Sequence, residues 1–400
     1  MPTASSAFRV FFSVAERSAD LYAASLISEF RRRHPESTFF GLSGPLSCNA
    51  GAETFHDMTT GAAMLVGALG RVPEAWWVLQ RLKRSFRESP PDAAVLIDSP
   101  ALNLPLAKLC KRFQVPVLYY VAPQTWAWAE GRVAKIRDRV DKLAVILPFE
   151  EDYFRRHGIA ARFVGHPLFE SLEAAPLDEA RLADFAARGL PLIALMPGSR
   201  RQVVHEVFPG QVEIAVRIAH HFPEAYFLVA AASPQTEDIA RAITSRLSRA
   251  GLAVPLQRFF FDHRFRPEMI AAADLALVAS GTATLEVAYH ATPMIVMYNH
   301  GRLLYPFLTW AFNLFGRKFL RTPRLSLPNI IAGRDIVPEF MPFYVSVEPI
   351  AEQAIAMLSD TAGLESRQRE LAELIAPLVR TDVSAAVADE LEQLLASRKR

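Results

Sequence analysis

The chain has 400 residues, 51% of them apolar and 22% charged, so it can bury large cores and is not a disordered chain. At roughly 100–200 residues per domain, two or three domains are expected. Lysine and arginine number 44 against 42 acidic residues, a formal charge of +2, which lacks the basic excess of a dedicated nucleic-acid binder.

The N-terminus, Met1 to Ala7, lacks the basic-then-apolar order of a secretory signal. The first apolar run, Phe8–Val14, leads through Ser13 to Asp20 into a helix expected over Asp20–Arg33. Tyr22, Leu26, Ile27 and Phe30 share one face of that helix, and Arg31 to Arg33 sit at its end, where cations suit the dipole. Ser18 or Asp20 suits an N-cap, and the helix start also suits an anion. Both readings stand, although the loop has no glycine to let a phosphate approach the backbone.

Further apolar runs follow at Thr38–Leu42, Ala93–Asp98, Val115–Val121, Lys142–Leu147 and Ala161–Val164. Several are continuous rather than alternating, the pattern of strands buried on both faces of a parallel sheet. Their alternation with helical stretches predicts a doubly wound α/β chain. Cys48 and Cys110 are too few for a four-ligand zinc site or a disulfide framework, which fits a reduced cytoplasmic setting. In such sheets ligands bind beyond the carboxyl ends of the strands, in a cleft. Asp98 stands there, able to act as a general base on a hydroxyl or to cap the helix after Pro100. Trp126 and Trp128, after the next strand, either cover a sugar face or acyl chain or belong to the core. Arg132, Lys135, Arg137 and Arg139 then form a basic helix face that meets phosphate or solvent.

A polar stretch, 171–190, separates this half from a second alternation, so a boundary is expected near residue 170. The domains read as 1–170, 171–345, and a helical 346–400 packing back across both. The second half carries apolar runs at Leu192–Met196, Ala225–Ala230, Asp274–Ala279 and Met294–Tyr298. The first ends in Pro197-Gly198-Ser199-Arg200, where Gly198 permits a tight turn, Ser199 donates, and Arg200 offers a forked grip on a diphosphate. The third ends in Ser280-Gly281-Thr282-Ala283-Thr284-Leu285-Glu286, a strand-turn-helix junction suited to phosphate, with Glu286 one turn on for a ribose diol.

Leu303 to Gly316 is nearly all apolar but shorter than the roughly 20 residues of a spanning helix. With its flanks, 303–320, it suits either a membrane interface or a buried hairpin or dimer contact. Asn329 can read a base or sugar, or form a turn. His166 and His300 follow strands and reach the cleft or remain structural. Helices are expected at Glu352–Leu358, Glu365–Val379 and Ser384–Ala396. There is no HExxH, GxSxG or P-loop motif, and neither a metal nor a cofactor is expected.

In order, Ala15–Asp20, LIDSPALN, APQTWAW with Arg132-Val133-Ala134-Lys135-Ile136, LPFE, VGHP, MPGSR, ASGTATLE and SLPNIIAGR resemble the lipid-A-disaccharide synthase family over nearly the whole chain. The resemblance implies a GT-B glycosyltransferase of two Rossmann-like domains. It implies UDP-2,3-diacylglucosamine as donor and 2,3-diacylglucosamine 1-phosphate as acceptor, joined by a β-1,6 bond with release of UDP. Carried onto this chain, it makes Asp98 the general base and puts Arg200, Glu286 and Asn329 on the donor side. Ser280, Gly281 and Thr282, continued by Ala283 and Thr284, become the phosphate-facing turn. Glu16, Ser18, Asp20, Trp126, Trp128, Arg132, Gly198 and Ser199 complete the expected substrate contacts. The segment 303–320 corresponds to the region that touches membrane lipid, which implies a peripheral enzyme on the inner face of the cytoplasmic membrane. The resemblance also admits a homodimer.

One loop departs. The family reads AGEASGD where this chain reads VAERSAD, so Ala15 and Ala19 replace glycines and Arg17 intrudes. The added atoms crowd whatever binds there. A transferase with another acceptor, or a catalytically silent nucleotide- or lipid-binding relative, is the alternative expectation.

Overall fold

The computed structural model describes residues 7–58, 72–126, 131–299 and 324–398. Trp128, His300 and the segment 303–320 lie outside them. The contacts divide the chain into two units, 1–170 with 380–400, and 171–379.

The first unit is built on a parallel sheet of seven strands in the order β3-β2-β1-β4-β5-β6-β7. These are β1 Arg9–Ser13, β2 Thr38–Leu42, β3 Ala52–His56, β4 Ala93–Ile97, β5 Val117–Tyr120, β6 Lys142–Val145 and β7 Ala161–Phe163. Every residue of β4 and of β5 is buried, which explains their unbroken apolar sequence: helices cover both faces. Side chains alternate across the sheet, period two. Phe11, Ala94, Leu96, Val117 and Tyr119 pack on one side with Val78, Leu82 and Phe86 of the helix Val72–Glu88. Val10, Phe12, Val95, Ile97, Leu118 and Tyr120 pack on the other. There they meet Ala23, Leu26 and Phe30 of the helix Arg17–Arg33. A fully buried side chain of the size of Phe12 or Phe30 contributes about 2–3 kcal/mol by apolar burial alone.

The second unit holds six parallel strands in the order β10-β9-β8-β11-β12-β13. They are β8 Leu192–Met196, β9 Tyr226–Val229, β10 Phe259–Phe261, β11 Leu275–Ala279, β12 Met294–Met297 and β13 Glu339–Phe340. β8 and β11 are buried throughout and pair in register, Ile193 with Leu275 and Leu195 with Leu277. Gln211, on the helix Arg201–His221, donates to the main-chain oxygens of Met196 (3.1 Å) and Leu277 (2.9 Å), tying the end of β8 to the middle of β11.

The C-terminal helices part company. Glu348–Ser359 and Thr361–Ile375 belong to the second unit. Val383–Arg398 belongs to the first, where Val383, Val387, Leu391 and Leu394 join the core under Arg17–Arg33. Glu390 on that helix is fully buried and is matched by Lys142 and by Arg162 (2.6 Å), while Arg33 pairs with Asp389 at 2.6 Å.

Three strands lie outside the expected apolar runs: Ala52–His56, Phe259–Phe261 and Glu339–Phe340. All are sheet edges. Ala52–His56 is largely uncovered and Glu339–Phe340 is two residues long, so hydrophobic patterning has little to mark there, whereas Phe259–Phe261 is apolar throughout but too short to be told from a turn or helix segment by pattern. The first helix begins at Arg17 rather than Asp20. Among the described residues no helix is long and apolar enough to cross a membrane.

Candidate active site

In a doubly wound sheet, the crevice opens where the strand order reverses, because the connections on either side diverge. In the first unit that point lies between β1 and β4, and Asp98 and the loop after Ser13 follow those two strands. In the second it lies between β8 and β11, and Gly198 to Arg200 and Ser280 to Glu286 follow those.

Asp98 is half-buried with φ of 52°, and Ser99 follows with φ of 43°. Two consecutive left-handed residues without glycine are costly, about 1–3 kcal/mol each. Val121, after the neighbouring β5, is also left-handed at φ of 61°, a rare state for a β-branched residue. The carboxyl edge of the sheet is therefore strained at the ends of both β4 and β5. The Asp98 charge is felt at two phenols, half-buried Tyr22 and fully buried Tyr119: both are pushed well above the usual tyrosine range, by burial first and by Asp98 second.

The loop after β1 divides its roles. Glu16 sits half-buried at the start of the helix Arg17–Arg33 and makes no side-chain cap, while Ser18 and Arg17 are exposed. Asp20, expected to meet substrate, is instead committed to the chain. It is 1% exposed and accepts from the main-chain N–H groups of Gly44 (3.1 Å), Leu46 (2.9 Å) and Ser47 (3.0 Å), and from the Ser47 hydroxyl. It caps the helix Pro45–Asn49, satisfying orphan donors that a turn alone leaves open.

Trp126 is half-buried, and its indole N–H donates to Glu150 Oε1 at 3.0 Å while its ring meets Phe149 edge-on at 4.9 Å. Glu150 is 1% exposed and its other oxygen accepts from Leu147 N (3.0 Å) and Ile146 N (3.2 Å). Burial pushes its carboxyl up to about 7, against those three donors. Arg132, half-buried on the helix Gly131–Arg139, exerts a lowering effect on the Tyr119 hydroxyl that opposes Asp98.

In the second unit, Gly198 has φ of 105°, and a Cβ there would stand 2.6 Å from Val203 Cγ1. Only glycine makes this turn into the helix Arg201–His221. Ser199 is exposed and Arg200 half-buried at the helix start; Tyr298, raised by burial and then by Glu206, feels Arg200 as a lowering charge. The turn at Ser280–Thr284 presents Gly281 and Thr282 to solvent, with Ser280 and Ala283 half-buried. Thr284 is buried and closes the turn by donating from Oγ1 to Gly281 O at 2.8 Å. Glu286 is gripped by the fork of Arg266, through Nε at 2.9 Å and through a second nitrogen, and Arg266 also donates to Ala230 O at 3.1 Å. Each Glu286 oxygen keeps a second lone pair for another donor.

Asn329, expected on the donor side, is turned into the chain. It is 1% exposed; its amide donates to Val337 O (2.8 Å) and Glu339 Oε1 (2.5 Å), and its oxygen accepts from Ile336 N (2.7 Å) and Val337 N (2.9 Å). All four of its hydrogen-bonding positions are taken by the chain. His166 is likewise structural: it is buried, accepts from Leu168 N at 3.2 Å, and is pushed down to about 4 by burial.

Arg266, Asn103 and Tyr119, and the inward role of Glu150, are site features outside the set expected from sequence. Glu150 had a local signal, three residues after Leu147 in a Pro-started helix. The others act on partners far along the chain. Glu237, Asp262 and His263 could gather around a cation, but Glu237 already accepts from His263 N (2.9 Å), His263 Nδ1 (2.8 Å) and Arg241. A cavity of about 300 Å³ lined by Glu213, Arg217, Asn299 and Tyr344–Val347 touches none of the expected site residues.

Against this geometry, a family model described as lipid-A-disaccharide synthetase matches residues 10–389. The chain is 36% identical over 392 residues to the lipid-A-disaccharide synthase of Myxococcus xanthus (strain DK1622), covering 97% of each chain. It is 34% identical over 396 residues to that of Pseudomonas paraeruginosa (strain DSM 24068 / PA7), covering 98% of this chain and 99% of the relative. Among solved structures it shares its fold with the UDP-GlcNAc 2-epimerase of Neisseria meningitidis bound to UDP-GlcNAc: TM-score 0.61, 12% identity, 96% of this chain and 99% of that one. The calicheamicin glycosyltransferase CalG4 is similar at TM-score 0.57 and 16% identity, with 98% of each chain covered. The two parallel-sheet units are thus the Rossmann-like domains of a GT-B architecture.

Proposed function

The chain belongs to the lipid-A-disaccharide synthetase family, and from that premise we propose a mechanism for its part in lipid A disaccharide synthesis. It is a glycosyltransferase. The donor is UDP-2,3-diacylglucosamine and the acceptor 2,3-diacylglucosamine 1-phosphate. The observation that carries the mechanism is Asp98, held in a left-handed turn at the strand-order reversal of the first unit.

Asp98 removes the proton from the acceptor's 6-hydroxyl as that oxygen attacks the anomeric carbon, with inversion. The bond to the UDP oxygen breaks. The diphosphate of the donor rests on Gly198, Ser199 and Arg200 and on the turn Ser280–Thr284, where Arg200 offsets the charge growing on the leaving group. Glu286, oriented by Arg266, holds the ribose diol. Glu16, Ser18, Trp126 and Arg132, at strand ends of the first unit, serve the acceptor's sugar and phosphate. Asp20 and Asn329 support the loops from within.

Acyl chains call for apolar surface, and the composition of 303–320 supports a peripheral site on the inner face of the cytoplasmic membrane. Removing the aromatics there should weaken liposome binding more than turnover of a detergent-solubilised donor; equal loss of both would refute that role. A homodimer fits the family and is tested by light scattering of the purified protein.

The deciding assay mixes the protein with both lipids in detergent and reads products by mass spectrometry. A tetraacyl disaccharide 1-phosphate plus UDP is expected, with Asp98→Asn reducing turnover by roughly 10²–10⁴-fold while UDP binding persists. Near-normal turnover in Asp98→Asn would remove Asp98 as the base. UDP binding without any product from the unaltered protein would point to the changed loop Ala15–Asp20 and a different acceptor.

A further inference from the structure

The left-handed backbone at Asp98 is held in part by what grips its carbonyl. The Asp98 main-chain oxygen accepts from the Tyr119 hydroxyl at 2.6 Å and from Asn103 Nδ2 at 2.7 Å. The same Asn103 amide donates to Ile97 O at 2.9 Å, and its oxygen accepts from the Ser13 hydroxyl at 2.7 Å. Asp98 N in turn donates to Tyr120 O at 3.0 Å. Ser13, Ile97 with Asp98, and Tyr119 belong to β1, the end of β4, and β5, three neighbouring strands. Ser13, Asn103 and Tyr119 are each fully buried. Two donors thus converge on one carbonyl at the carboxyl edge of the sheet, cross-braced to the strand that feeds the loop Val14–Asp20.

We propose that Asn103 and Tyr119 are positioning residues that set the direction of the Asp98 carboxylate by clamping its carbonyl in the left-handed turn. The inference rests on the reading of Asp98 as the base. A left-handed residue aims its Cβ differently from an extended one, so releasing the carbonyl lets φ relax and swings the carboxylate away from the acceptor hydroxyl. Burial keeps the Tyr119 hydroxyl protonated, and so a donor, across the working pH range. The clamp also explains why Asn rather than Asp or Leu serves at 103: two carbonyls need two N–H donors, and the Ser13 hydroxyl needs an acceptor.

The test is steady-state kinetics of Tyr119→Phe and Asn103→Ala, each alone and combined with Asp98→Asn. A displacement of about 1 Å costs up to ~10²-fold, so Tyr119→Phe should lower kcat about ten-fold and Asn103→Ala more, with the KM for the UDP donor unchanged. In the Asp98→Asn background Tyr119→Phe should change nothing further, because there is no carboxylate left to aim. Unchanged kcat in Tyr119→Phe, or a loss that persists undiminished in the Asp98→Asn background, overturns the clamp while leaving Asp98 as base. Full activity in Asp98→Asn overturns the base assignment itself. Should Asn103→Ala fail to fold, Tyr119→Phe, which deletes one oxygen, decides alone.

Discussion

Replacing Glu150 by glutamine removes a charge while keeping the shape of a fully buried side chain. Burial raises the Glu150 carboxyl from 4.5 to about 7. Below pH 4.5 both folded and unfolded chains hold the proton, and the group contributes nothing to the pH dependence. Between 4.5 and 7 the unfolded chain has lost the proton and the folded chain keeps it, so stability falls as pH rises. Above 7 both forms are ionised and the cost stays constant. A displacement from 4.5 to about 7 corresponds to about 3 kcal/mol across that window. The Glu150→Gln variant lacks the titration. Its amide also turns an NH₂ towards either the Trp126 indole or the Ile146 and Leu147 amides, a donor-to-donor mismatch costing about 1–3 kcal/mol at every pH. The variant is therefore less stable at pH 4.5, and the gap narrows or reverses by pH 7.5. Urea denaturation at several pH values, followed by tryptophan fluorescence, measures the difference between the two proteins directly. Other groups titrate in both and cancel. Parallel stability-against-pH curves would refute the argument, showing that Glu150 stays ionised on its three donors throughout.

His166 makes the opposite prediction: with its imidazole pushed down to about 4, stability is intact above pH 6.5 and is lost as pH falls towards 4, by about 3 kcal/mol, and His166→Asn should flatten that acid limb in the same denaturation series. Gly198→Ala must place a Cβ 2.6 Å from Val203 and adopt a φ of 105°, so a cost of about 1–3 kcal/mol and weaker UDP binding by calorimetry are expected, whereas Gly281→Ala meets no atom within 4 Å and should carry only its backbone strain. Arg266→Gln leaves Glu286 without its fork; UDP affinity should fall several-fold, and an unchanged Kd would mean that Glu286 does not touch the nucleotide.

Much of this protein was legible in one dimension. β4, β8 and β11 read as unbroken apolar runs because helices cover both faces of a parallel sheet, and the turns after them carry the polar residues that chemistry needs. A strand buried on both sides has no freedom in its composition, so its position survives in the sequence. The edge strands Ala52–His56 and Glu339–Phe340 do not, since water or a single neighbour accepts almost any side chain there.

What the tertiary structure alone decided is which polar residue faces outward. Asp20, Glu286 and Asn329 all stand in turns or first helical turns, where a carboxylate or amide suits ligand and backbone equally. Their partners are Ser47, Arg266 and Glu339, 27, 20 and 10 residues away. The carbonyl of Asp98 is held from Tyr119, 21 residues on, and Asn103 reaches back 90 residues to Ser13. A buried polar group must be matched by whatever the fold brings within about 3 Å, and that neighbour is set by strand order, which local sequence does not encode.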